Sequence, residues 1–565
     1  MDTQRIIALV VFMFSGVLLW EAWNKYDHPP IPPQSLAQTQ AGSPGQPTEK
    51  SAVAVPTPTV PLSAALAPAN ATVPAVESAS TSKRISVTTD TLGVELDTKG
   101  GDVRQVTLLK HAARGDATKP FTLMQDRVGA YFIAQSGMDK GLPNHTSTWT
   151  NTSDKYVLEN GDTLNVILSN TETPGLTVNK ILTFTRGSYV IDIRYDIKND
   201  SGVSVSPNAY FRFLRDGNPP EGESAGNMFT GVVTFTGPAV YTDAKKFQKV
   251  DFSSIDKKKQ EHVKESTDGW IALVQHYFVS AWLPGDKARR EFFTEKVTDK
   301  LYSAGVIVPI GTIATGASGS VTMPLYVGPQ EQEKLERLAP GLDLVVDYGW
   351  LKPLAFPMFA VLSWINKVIG NWGWTIIIFT ILLKLVFFPL NQKAGKSMAH
   401  MKHMAPKVEA LKARYGDDKM KMNQAMMELY KTEKINPLGG CLPILIQMPF
   451  LIAMYWVLLG AVELRNAPWL AWITDLSTPD PYYVLPVIMG ASMLVQTKLN
   501  PTPPDPVQAK VMLMMPIVFS VMFFFFPAGL VLYWTMQNIL GIGQQWYINK
   551  TTAHLGPPKS VTAKK

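Results

Sequence analysis

The chain has 565 residues, a net charge of +7 and a single cysteine, Cys441. That length calls for several domains, and one cysteine excludes an intrachain disulfide, so any exported part is held by its core alone. The 46% hydrophobic content is unevenly spread: residues 28–350 read as soluble and 351–549 as membrane, so the basic balance points to cytoplasmic loops and anionic lipid rather than nucleic acid.

Residues 1–25 open with Arg5 and an apolar run over 6–20, with no small-x-small cleavage site after it. This predicts an uncleaved membrane anchor with a cytoplasmic N-terminus. Residues 26–83 are rich in Pro, Ala, Ser and Thr and nearly free of aromatics. Such a segment buries too little apolar surface to offset its ordering entropy, and its prolines bias it to an extended linker.

Over residues 84–345 the hydrophobic period becomes two. Tyr189, Ile191, Ile193, Tyr195 and Ile197 share one face of a predicted strand, and Asp192, Arg194, Asp196 and Lys198 share the other. Leu176, Val178, Leu182 and Phe184 alternate before it, with Arg186-Gly187-Ser188 as the turn, and Leu164, Val166 and Leu168 mark a further strand. Many such strands predict a large antiparallel β-sandwich, outside the cytoplasm because it follows an N-in anchor. His276, His262, Glu261 and Asp268 are its acid/base residue types. His276, however, lies in one strand-like apolar run over 270–283, where a lone histidine is usually a core or face residue. Lys257, Lys258 and Lys259 read as a solvated loop.

Residues 351–369 are amphipathic, with prolines at 353 and 357, and suit a helix lying in the membrane interface. Residues 371–391 are long and apolar enough to span, since about 20 residues at ~1.5 Å each cross ~30 Å of hydrocarbon. Lys384 reads as the one charge inside a span. A mid-membrane charge costs roughly 2.5–3.5 kcal/mol and is a functional candidate; the alternative is a lysine that snorkels to the surface.

Residues 392–435 are polar and basic, with ten Lys or Arg between 391 and 436, which places them in the cytoplasm. Met401, Met404, Val408, Leu411 and Tyr415, then Met422, Met426 and Leu429, recur at helical spacing on either side of Gly416. This predicts a helical hairpin whose methionines either fill its own seam or meet varied apolar partners. His400 and His403 lack any carboxylate or cysteine at ligand spacing, so no metal is expected. Further spans are predicted at 437–460, 482–499, 510–527 and 528–549, followed by a basic cytoplasmic tail at 550–565. Their polar residues, Gln447, Gln496, Tyr533, Trp534 and Asn538, fall on the same helices as Lys384 and Thr380 or on neighbouring ones, as interhelical glue or the lining of a wet cavity. No phosphate-binding GxxxxGK[ST] motif occurs, so no nucleotide or other cofactor is expected.

The motifs NPLGGCLPILIQMP (436–449), VELR (462–465), DPYYVLP (480–486) and FPAGLVLY (526–533) resemble the YidC membrane protein insertases of Gram-negative bacteria. The resemblance covers every predicted span and the hairpin, and the anchor, linker and β-domain match the Gram-negative form in order and size. It implies a multi-pass α-helical inner-membrane protein of six spans, five of them an insertase core, plus a large periplasmic β-supersandwich of galactose-mutarotase type without enzyme activity. It also implies nascent membrane proteins, the Sec translocon, the ribosome and the phospholipid bilayer as partners, with no specific nucleic-acid sequence. The family's groove is open to cytoplasm and lipid. Lys384 takes the place of its arginine, Thr380 of a groove threonine, and Tyr533 and Trp534 of an aromatic pair that touches substrate. Gln447 and Gln496 join this groove, and Met401, Met404, Met422 and Met426 are the candidate hairpin contacts. Lysine for arginine is a departure, because lysine can lose its proton when desolvated.

Overall fold

The structure is a computed structural model that describes residues 82–113, 116–127, 129–220, 235–259, 261–285, 287–415, 418–432, 442–499 and 506–552. The predicted anchor, nearly all of the linker and tail, and the start of the 437–460 span with Cys441 lie outside the described residues.

Residues 84–329 form two large sheets, of ten and nine strands, packed face to face. Across the interface Phe211 of one sheet meets Trp282 of the other at 5.3 Å, and the Ser136 and Tyr195 hydroxyls bond at 2.8 Å. The alternation read from the sequence holds. In the strand Val190–Asn199, Ile191, Ile193, Tyr195 and Ile197 are all buried, paired antiparallel with Leu176–Thr185 and Ser318–Pro329. One pairing among the described strands departs from the antiparallel expectation: Arg84–Thr88 runs parallel to Lys155–Val157. Lys180 is a second departure. It sits on the inward face between Val178 and Leu182, 1% exposed, and its ammonium donates to the carbonyls of Gly101 at 2.7 Å and Gly100 at 3.3 Å.

The run at 270–283 is a hairpin rather than one strand. Trp270–Gln275 and Phe278–Trp282 pair antiparallel around a turn in which Tyr277 takes φ 68°. His276 therefore stands at a hairpin tip, where its Nε2 donates to the carbonyl of Leu459 at 3.1 Å. His262 is held elsewhere, between the Val263 carbonyl and the Thr294 hydroxyl. The two histidines do not form one acid/base set.

The α-helices among the described residues are α1 (Phe252–Asp256), α2 (Gln332–Leu338), α3 (Lys352–Ile369), α4 (Trp372–His403), α5 (Ala405–Tyr415), α6 (Lys419–Thr432), α7 (Leu442–Gly460), α8 (Val484–Leu499), α9 (Pro506–Met522) and α10 (Ala528–Thr552). One described stretch, Trp372–Gln392, is long and apolar enough by itself to cross a bilayer, with mean hydropathy 2.1; Leu445–Gly460, Val484–Leu499 and Lys510–Phe525 are apolar but shorter. Amphipathic α3 buries Ala355, Met358, Phe359, Leu362 and Ile365 against α4 and α7 and leaves Trp364 and Val368 outward. Two sequence readings need correction. The helix of the Lys384 span continues past 391 to His403, so the hairpin starts later than residue 392. Polarity changes where the chain leaves the apolar stretch, but Gln, Lys, Ala and Met all sustain a helix. Gly395 is no stop, for a Cβ there would lie 2.6 Å from Ile548 of α10. Lys384 is also not the sole charge in the predicted spans, since Lys498 and Lys510 lie at helix ends, both exposed.

The turn after α7 joins the two halves. Arg465 donates to the carbonyl of Ala112 at 2.8 Å, and its guanidinium lies 4.7 Å from the ring centre of Phe121 and 5.0 Å from that of Phe278. Those rings stack on each other at 4.3 Å. Burial, with Arg465 and Lys334 nearby, pushes the neighbouring His111 down to about 4, so it stays neutral. Burial also pushes the Glu463 carboxyl up to about 7 from the usual 4.5, with Glu331 and Glu333 adding to it and Lys334 opposing.

Two outcomes follow from this junction. Arg465→Ala loses a desolvated cation–π contact worth roughly 1–2 kcal/mol. Hydrogen exchange on the full-length protein should then quicken in Asp116–Arg127 and in the 270–282 hairpin; unchanged rates would show that the contact does not hold the junction. Glu463 keeps its proton to higher pH folded than unfolded, so its contribution to stability is present below about 4.5 and is lost as pH rises through about 7. Melting in detergent across that window should show the native protein falling relative to Glu463→Gln. Parallel curves would refute the assignment.

Candidate functional site

The candidate site lies among α4, α7, α8 and α10, built around Lys384. On α4, the residues around it face two ways: Ile381, Leu382, Leu385 and Val386 are exposed and apolar, while Lys384 is half-buried. A cavity of about 10 Å³ adjoins it, lined by Leu383, Lys384, Phe387, Gln447, Phe450, Leu451 and Gln537. That is about the smallest space that holds one water. Among the described residues the ammonium has no hydrogen-bond or ion-pair partner.

Polar side chains from three helices gather beyond Lys384, toward the C-terminal end of α4. Gln447 of α7 donates to Asn391 of α4 at 2.6 Å, and Asn391 donates to Gln544 of α10 at 3.3 Å. Higher on α10, Gln537 donates to the Tyr533 hydroxyl at 3.1 Å. Asn538 donates to Ser492 of α8 at 3.2 Å. Gln496 of α8 approaches from the other side: it and Lys384 both point at Gly541 of α10, where a Cβ would lie 3.2 Å from Gln496 Nε2 and 3.8 Å from Lys384 Nζ.

The predicted residues separate into two groups. Lys384, Gln447 and Gln496 converge, and Tyr533 reaches them through Gln537. Thr380 is fully buried and its hydroxyl donates back to the Ile376 carbonyl at 2.6 Å, so it is spent within its own helix. Trp534 turns away, its ring 4.9 Å from that of Phe523 and its indole nitrogen buried without a partner among the described residues. Met404 is buried where α4 meets α5, and Met422 and Met426 are half-buried on α6; the side chain of Met401 lies outside the described residues. Met420 and Met427, exposed on α6, are the described hairpin methionines that face outward. Sequence reading left Asn391, Gln537, Gln544 and Gly541 out of the groove, and a count of four along the last helix from Tyr533 reaches Gln537 and Gly541.

Comparison with known proteins agrees in both halves. Residues 84–361 match the YidC periplasmic domain and residues 364–554 the 60Kd inner membrane protein family. The membrane protein insertase YidC of Aromatoleum aromaticum is 53% identical over 552 residues, covering 97% of this chain and 98% of that one. That of Dechloromonas aromatica is 50% identical, covering 97% of each. A crystal structure of an active YidC insertase with its first transmembrane domain resolved matches with TM-score 0.40 at 18% identity, over 83% of this chain and 93% of that one. The chain belongs to the YidC family of membrane protein insertases.

Proposed function

We propose that this chain inserts proteins into the bacterial inner membrane by giving their hydrophilic segments a polar stopping place beside Lys384. The observation that carries the reading is an ammonium in mid-helix, surrounded by amide side chains and without a partner of its own among the described residues. A hydrophilic segment of an incoming chain that enters here avoids part of its desolvation cost. Lys384 attracts acidic residues of that segment, and the low dielectric makes the attraction several-fold stronger than in water. The cargo's apolar span then leaves along the exposed apolar faces of α4 and α9 into lipid, driven by its transfer energy. On α9 residues such as Met514, Ile517 and Val518 are exposed, as lipid contact requires. The work comes from cargo hydrophobicity, and the family is one of insertases rather than enzymes.

The reading includes six spans with both termini cytoplasmic and residues 26–350 periplasmic. The basic stretch between 391 and 436 supports it through the positive-inside bias. Short apolar helices such as Val484–Leu499 fit a locally thinned bilayer, and the outward Trp364 and Val368 of α3 fit a helix lying in the interface. Ribosomes delivering nascent chains and the Sec translocon are the proposed partners, with the hairpin of α5 and α6 and its outward methionines as the cytoplasmic contact.

The test is insertion of a two-span substrate with an acidic periplasmic loop, read by protease protection. Lys384→Arg should retain activity. Lys384→Ala and Lys384→Glu should lose at least about tenfold, the loss expected for one unmade charge-assisted contact. Insertion by Lys384→Ala at the native level would mean that the lysine only snorkels.

A further inference from the structure

A second cavity lies where the strand Trp270–Gln275 meets the outer end of α7, at the opposite end of that helix from Gln447. It measures about 70 Å³, whereas one water needs roughly 10–15 Å³. Val274, Val346, Trp456 and Leu459 give it an apolar wall, and Gln275 and Gln330 give it two amides. Both amides are more than nine-tenths buried, at 4% and 6% exposed, and the partners of each fix its orientation. Gln275 accepts from the Arg215 guanidinium at 2.5 Å through Oε1, so its Nε2 is the remaining end. Gln330 Nε2 donates to the carbonyls of Gln275 at 2.8 Å and Phe278 at 2.9 Å, so its Oε1 is the remaining end. Neither remaining end has a partner among the described residues, and neither is sealed by packing. The cavity therefore holds one unmet donor and one unmet acceptor. At its mouth, exposed Asp347 pairs with Lys249, whose ammonium stands 5.2 Å from the ring centre of Phe235 on the cavity wall. Trp350, just before α3, is 80% exposed. With Trp456 it places indoles at this end of the membrane half, as is common at a bilayer–water boundary.

We propose that this cavity binds the headgroup of a phospholipid of the ethanolamine type, drawn from the leaflet in which α7 ends. The ligand must donate at one point and accept at another. Phosphoethanolamine does both with charged groups: its ammonium donates to Gln330 Oε1 and Asp347, and its phosphate accepts from Gln275 Nε2 and Lys249. The Lys249–Asp347 pair is the complement of such a zwitterion. A choline headgroup has the same charges but no N–H to donate, and a glycerol headgroup has no cation for Asp347. Trp456 and Leu459 belong to α7, so a lipid seated here keeps its apolar part against that helix. The site is separate from the groove around Lys384 and does not depend on how the groove works.

The experiment titrates the full-length protein in detergent with short-chain phosphatidylethanolamine, phosphatidylcholine and phosphatidylglycerol, and with glycerophosphoethanolamine, the same headgroup without acyl chains. The rise in melting temperature reads binding to the folded state. Phosphatidylethanolamine should bind at least about tenfold more tightly than the other two lipids, the difference expected for one unmade charge-assisted contact. Gly460→Leu should weaken its binding by a similar factor. Gly460 lines the cavity and a Cβ there meets nothing closer than 3.7 Å, so the added side chain fills the space while both amides stay in place. Asp347→Ala, on an exposed residue, should abolish the preference for ethanolamine over choline, and it carries the comparison if the leucine variant fails to accumulate. Equal affinity for the three lipids, or a preference unchanged in both variants, would leave water as the occupant and overturn the proposal. Glycerophosphoethanolamine should bind more weakly than the lipid; equal binding would make the ligand a soluble phosphoester and overturn the assignment to a membrane lipid.

Discussion

A bilayer interior offers no hydrogen bonds, so a charge placed halfway along a spanning helix must find its polar company within the protein. Lys384 sets that requirement, and the arrangement of α4, α7, α8 and α10 answers it. Amides from α7, α8 and α10 surround it without neutralising it. Gln447, Asn391 and Gln544 link three helices on one side of it, and Gln537, which lines the cavity beside it, donates to Tyr533. Interhelical bonds of this kind contribute about 0.6 kcal/mol each on average, which is little for stability. Their larger effect is on position: they hold polar groups in a region that apolar packing alone would have closed.

The β-domain depends on the opposite strategy. Its two sheets bury an apolar core by alternation in strands such as Val190–Asn199 and by whole-strand burial in Trp270–Gln275 and Phe278–Trp282, and the fully buried ammonium of Lys180 is solvated by two carbonyls. The domain is also tied to the membrane half, by Arg465 in its aromatic seat, by His276 on the Leu459 carbonyl, and by the ion pair of Lys367 with Glu333 at 2.8 Å. Only the last of these is exposed enough to be weak.

What could be read from the sequence follows from how local each signal is. The period-two stripe from Tyr189 to Ile197 is visible because neighbours in sequence are neighbours on a face. Lys180 breaks such a stripe, and its solvating carbonyls lie some 80 residues away in sequence, beyond any local pattern. The turn at His276 and Tyr277 was hidden because a tyrosine with φ 68° sits where glycine or asparagine would have announced it. Lys384 was conspicuous as a charge in an apolar run. The Gln447–Asn391–Gln544 relay was not, because each residue alone is an ordinary polar position on a helix, and only the packing of three helices makes them a set. Thr380 and Trp534 carry the right residue types for the groove, yet Thr380 is satisfied by its own helix and Trp534 packs on Phe523.

Helix α7 has anchors at both ends. Its outer end gives the Leu459 carbonyl to His276 and leads directly into Arg465; its inner half carries Gln447, roughly 18 Å away along the axis. Apart from the backbone bond missing at Pro449, it is an uninterrupted rod. A rod fixed at one end cannot be tilted there without sweeping an arc at the other. A tilt imposed where α7 meets the β-domain would therefore displace the Gln447 amide at the other end of the same helix.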